Sequence, residues 1–134
     1  MTKTVDIEGI GSVYAEKLIK AGVRSVESLL KQGATPRGRE EIAESTGISK
    51  TLVLEWVNHA DLYRIKGIAE EYSDLLEEAG VDTVVELAQR RADHLHAKML
   101  EVNHVKKLVR RPPSLSEVER WVEHAKTLPR AVHY

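Results

Sequence analysis

Hydrophobic spacing along the chain is helical almost throughout, and the alternation of a β-strand is nearly absent. After Gly11, the residues Tyr14, Leu18 and Ala21 recur at i, i+4 and i+7, with Ala15 and Ile19 beside them. That period lays one apolar stripe along an α-helix. Gly22 follows where a left-handed residue ends such a helix. Ser25 is placed to cap a short helix through Leu30. Thr35-Pro36 reads as an N-cap followed by proline in the first turn, opening a helix that ends near Gly47. Ser49 caps the next, whose apolar face holds Leu52, Val53, Trp56 and Val57. Thr83 and Glu86 have the spacing of a capping box ahead of another short helix. Asp93 is expected to cap a helix carrying Leu95, Met99 and Val102, and Ser116 with Glu119 to open the last one. Val118, Trp121, Val122 and Ala125 share one side of that last helix. Arg111-Pro112-Pro113-Ser114 is a hard stop before it, and residues 130–134 read as a frayed end.

The pattern also repeats. IEGIGSVYAEKLIKAGV at 7–23 returns as IKGIAEEYSDLLEEAGV at 65–81, with Tyr72 in the place of Tyr14 and Leu76 in that of Leu18. WVNHA at 56–60 is echoed by WVEHA at 121–125. An internal duplication accounts for both. The expected fold is therefore all-α: a single domain over 1–134 in which a first helical repeat, 7–60, packs with a second, 61–128. Only six residues precede Ile7, so no helix stands before the first repeated turn, whereas the Trp56 helix leads into the second. The Trp121 helix is expected to fill that place beside the first turn, within the chain or exchanged between two chains.

Composition narrows the chemistry. The chain has no cysteine, which removes disulfides and thiolate metal sites. The first residues lack the apolar core of a signal peptide, and no apolar run approaches the roughly 20 residues that span a bilayer. A cytoplasmic protein with no membrane contact is the expectation. The net charge of −1 conceals an asymmetry: through residue 88 there are ten Lys and Arg against sixteen Asp and Glu, and from 89 onward ten against five. So balanced a chain lacks the overall basic footprint of a dedicated nucleic-acid binder, and any such contact must be local.

Gly9-Ile10-Gly11 is the local candidate. Glycines permit positive φ and remove Cβ atoms from one side of a turn, while Ile10 anchors the loop inward. With a helix starting near Ser12, the amides of roughly residues 11 to 14 lack intrahelical partners, and together with the positive helix end they suit an anion. Lys17 and Lys20 lie one and two turns further along. Contact of this kind positions a phosphodiester without reading bases.

These residues resemble the helix-hairpin-helix motif of DNA repair, recombination and replication proteins: Ile7-x-Gly9-Ile10-Gly11, Ala15, Leu18-Ile19 and Ala21-Gly22-Val23. They are also similar to the helical C-terminal module of the bacterial RNA polymerase alpha subunit. The span from about 7 to 128, including GATPRGREEIAESTGIS, EWVNHADLYRIKGI and KKLVRRPP, resembles a family of small helix-hairpin-helix-like proteins of unknown function. The resemblance implies tandem helix-hairpin-helix repeats and brings no activity. In the second copy, Ala69 stands where the second glycine belongs, with Glu70 and Glu71 in the first helical turn. Those carboxylates satisfy the helix end and repel phosphate. Of the two copies, the first is the one suited to bind.

Other features have plainer readings. Lys106, Lys107, Arg110 and Arg111 form the strongest basic cluster, suited either to phosphates or to the acidic helix at 70–78. Trp56 and Trp121 lie on apolar faces and read as core. His94 and His96 are two apart and diverge on a helix, and without cysteine or an HExxH pattern no metal site is assigned. No nucleophile elbow, P-loop or dinucleotide fingerprint is present, so no catalytic residue or cofactor is assigned. Two functions are expected from what remains. The first is a non-enzymatic module holding DNA or RNA backbone through Gly9, Ile10, Gly11, Ser12, Val13, Lys17 and Lys20. The second is a protein-interaction adaptor or homodimer scaffold that touches no nucleic acid.

Overall fold

The computed structural model describes residues 10–134. Among the described residues there are eight α-helices and no β-strand, so the all-α class is the one observed. By its contacts the chain divides into two units: one runs to Asp61 and takes in Ala131–Tyr134, and the other is Leu62–Arg130.

The first unit holds α1 (Gly11–Lys20), α2 (Val26–Gln32), α3 (Pro36–Thr46) and α4 (Lys50–Leu62), the last of which runs on into the second unit. The end of α1 closes as a Schellman motif: Val23 N–H donates to Leu18 O at 2.8 Å and Gly22 N–H to Ile19 O at 3.0 Å, with Gly22 at φ +91°. Ser25 caps α2 reciprocally with Ser28, Thr35 accepts from the Gly38 amide, and Ser49 accepts from the Leu52 amide. Leu18, Leu29, Ile42, Val53 and Trp56 are buried together with Ile10. The Trp56 ring meets Tyr14 with centroids 5.3 Å apart and planes tilted 56°. Ile19, grouped by spacing with the apolar stripe, is instead 44% exposed.

Residues 131–134 are docked on this unit rather than frayed. Val132 is buried, His133 N–H donates to Ala34 O at 2.7 Å, and Tyr134 Oη donates to Asn58 Oδ1 at 3.0 Å. Arg39 fastens them: Nη1 donates to Gly33 O and Nη2 to His133 O, both at 2.8 Å, with the guanidinium 5.8 Å from the Tyr134 ring centroid. A buried guanidinium needs acceptors, and here two main-chain carbonyls meet the need.

The second unit holds α5 (Glu70–Glu78), α6 (Val84–Ala88), α7 (Ala92–Lys106) and α8 (Leu115–Lys126). The end of α5 copies that of α1: Val81 N–H donates to Leu76 O at 2.8 Å and Gly80 N–H to Glu77 O at 3.0 Å, with Gly80 at φ +96°. Thr83 caps α6 by accepting from the Glu86 amide. Leu75, Leu76, Leu87, Leu95, Met99 and Val118 are fully buried, and α8 packs against both α6 and α7. Trp121 meets Tyr72 at 5.2 Å and 53°. Each tryptophan thus meets the tyrosine of its own unit, tilted against it.

Two helix starts differ from expectation. The last helix opens on Ser114, which accepts from Glu117 N–H at 3.2 Å while Glu117 accepts from Ser114 N–H at 3.1 Å. The Ser116–Glu119 pair has the same spacing but comes one half-turn later than the proline stop requires. Arg91 occupies the N-cap of α7 with no side-chain cap; Asp93 lies inside the first turn, where Arg91 Nη2 is 3.0 Å from its carboxylate. No helix among the described residues is long and apolar enough to cross a membrane.

Candidate functional site

Gly9 lies outside the described residues. Ile10 is 2% exposed, so its side chain anchors the turn and only its backbone is available to a ligand. Gly11 has φ +65°, in the left-handed region, and among the described residues a Cβ built there would meet nothing within 4 Å. Open space on that side means the backbone is approachable, while the dihedral explains why a residue without a side chain stands there. Ser12 and Val13 are exposed, Val13 at 67%. The start of α1 has no side-chain cap and no acidic residue in its first turn. Among the described residues no side chain caps this start, which carries the partial positive charge of a helix N-terminus.

Lys17 and Lys20 continue along α1 and are both exposed. Lys17 Nζ stands 6.0 Å from the Tyr14 ring centroid. Lys20 Nζ is 3.4 Å from Glu16, but both side chains are about three-quarters exposed, and a pair so solvated holds neither charge firmly.

The second turn departs at the residue where the sequences differ. Ala69 is extended, with φ −125°, where its counterpart Gly11 has φ +65°. A methyl-bearing residue avoids the left-handed region, so the chain takes another path into the helix. Gly67, at φ +96°, faces the Trp121 ring: a Cβ there would lie 3.0 Å from Nε1. Glu71 is exposed in the first turn of α5.

The basic cluster belongs to the second unit, and much of it is used internally. Lys106 Nζ lies 2.6 Å from Glu78 Oε2, and the Arg111 guanidinium holds both oxygens of Glu117 at 3.1 and 3.3 Å. With Ser114 donating as well, this ion pair lowers the Glu117 carboxyl from an ordinary 4.5 to about 2. The segment is strapped down by Asn103, whose side chain makes both hydrogen bonds of Val109, and by Tyr72 Oη donating to Arg111 O at 2.9 Å. Lys107, at φ +52°, ends α7; Lys107 and Arg110 remain exposed.

Two histidines meet main-chain groups of the second unit. His96 Nε2 sits 3.0 Å from Pro113 O, and Lys66 N–H donates to His124 Nδ1 at 3.4 Å. Asp74, Glu77 and Glu78 bring carboxylate oxygens within 4.8 Å of one another, but Lys106 already answers Glu78. The Arg39 clamp escaped sequence reading because arginine in a helix of mean polarity gives no sign that it points inward.

Compared with protein-family models, residues 8–128 match the one described as Domain of unknown function (DUF4332). No curated protein and no solved structure matches the chain.

Proposed function

Taking as premise that the chain belongs to the DUF4332 family, we propose that it is a non-enzymatic module of helix-hairpin-helix type that holds nucleic-acid backbone, weakly and without sequence preference, at the start of α1. The observation that carries this reading is Gly11: positive φ, no described residue against its Cα, and behind it a helix start that, among the described residues, has no side-chain cap and no acid in its first turn. Phosphate oxygens take the amides of residues 11–13, and Lys17 and Lys20 add solvated positive charge along the strand. Ala69 and Glu71 deny the second turn the same role.

Ser12→Glu tests it cleanly. Ser12 is exposed, so the substitution disturbs no packing. A carboxylate in the first turn should raise helix stability by about 0.3–1 kcal/mol, yet repel a phosphate. Fluorescence anisotropy with labelled duplex DNA across a salt series is expected to show binding that weakens as salt rises and is lost in the variant, whose melting temperature is unchanged or higher. Absence of binding by the wild type at low salt rejects the proposal. A dimer seen by light scattering in that case favours the adaptor reading, for which exposed Leu100 and Val105 on α7 supply apolar surface.

A further inference from the structure

The second unit carries a groove of about 610 Å³ between the Lys66–Gly67 turn and one side of α8, with Trp121 among its lining residues. That is the size of a small-ligand site. Its lining charges are unevenly matched. Glu117 is held by Arg111, and Glu123 by Lys126 at 3.0 Å. Among the described residues, Lys66 and Arg120 have no ion-pair partner, and both are exposed at the groove.

The donors exceed the acceptors as well. His124 accepts the Lys66 amide through Nδ1, which places the neutral ring's proton on Nε2 as a donor. The indole Nε1 of Trp121, facing Gly67, finds no acceptor among the described residues and is not sealed from solvent. Lys66, Arg120, His124 and Trp121 thus present donors, and of the two carboxylates Glu117 is spent on Arg111. A ligand that answers them is an anion rich in acceptor oxygens.

We infer that this groove binds a phosphate ester, with Lys66 and Arg120 as the charged contacts and Trp121 Nε1–H and His124 Nε2–H as the orienting donors. The guanidinium of Arg120 suits the paired oxygens of a phosphoryl group. The site shares no residue with the start of α1 and does not depend on the function proposed there.

Nitrogen-15 NMR of the full chain tests it, following the Trp121 indole and Gly67 amide resonances during titration with adenosine monophosphate, inorganic phosphate, duplex DNA, and an acidic peptide. Saturable shifts of both resonances with adenosine monophosphate, at lower concentration than with inorganic phosphate, are expected and identify a free phosphate ester as occupant. Shifts confined to duplex DNA place the same chemistry in a nucleic-acid backbone. Lys66→Gln or Arg120→Gln, at exposed positions, should weaken binding about tenfold. Ser12→Glu should leave it unchanged, which separates this site from the start of α1. No shifts with any phosphate, equal shifts with the acidic peptide, or undiminished binding in both glutamine variants overturns the inference.

Discussion

Arg39 and Arg111 show two ways of settling a guanidinium. Arg39 is buried and answered by carbonyls, and burial draws its pKa below the ordinary value while Tyr134 opposes the shift. Arg111 is exposed and answered by a carboxylate, Glu117, which also closes the capping box of α8. The second arrangement has a pH signature. The folded-state pKa of Glu117, about 2, is depressed below its ordinary 4.5, so its contribution is complete above 4.5 and disappears as pH falls towards 2. Urea unfolding of the wild type and Glu117→Gln should therefore differ most at neutral pH and converge across that window. A constant gap down to pH 2 would show that the carboxylate charge adds nothing.

At the scale of elements, the segment after α7 is held by side chains rather than by helical bonding. Asn103 supplies both a donor and an acceptor to Val109. Asn103→Ala should cost about 1–3 kcal/mol, because the two main-chain groups lose their partners at once. Urea denaturation with an unchanged m-value checks this; a cost under about 0.5 kcal/mol would mean that water replaces the amide. The same contrast explains what was legible beforehand. Caps and periodicity exposed Ser25, Thr35-Pro36, Ser49, Thr83 and the buried face of α8, because those signals are local. The start of α8 was misplaced because two serine–glutamate pairs compete within six residues and the prolines decide between them. Asp93 was misread because it lies inside the first turn, where its carboxylate is shared between Arg91 and the His94 amide. Gly11 was legible as a conformational requirement; that open space lies beside it was not, since the sequence does not say what a turn faces.

At the scale of the molecule, the contact-defined boundaries put the last residues with the first unit, a placement that no periodicity could reveal. Val132 supplies apolar burial and His133 the second carbonyl for Arg39. Removing residues 131–134 should cost the first unit about 2–5 kcal/mol. Native-state hydrogen exchange should show lost protection in α2 and α3 with α7 and α8 unchanged, and equal losses in all four would refute the assignment. The order of biosynthesis gives this arrangement a further consequence. The ribosome releases α1 to α4 well before the closing peptide that they receive, and everything from Leu62 to Arg130 emerges in between. The earlier-made half must therefore wait, its arginine slot vacant, until residues 131–134 have been made, while the later-made half has all its own parts in hand.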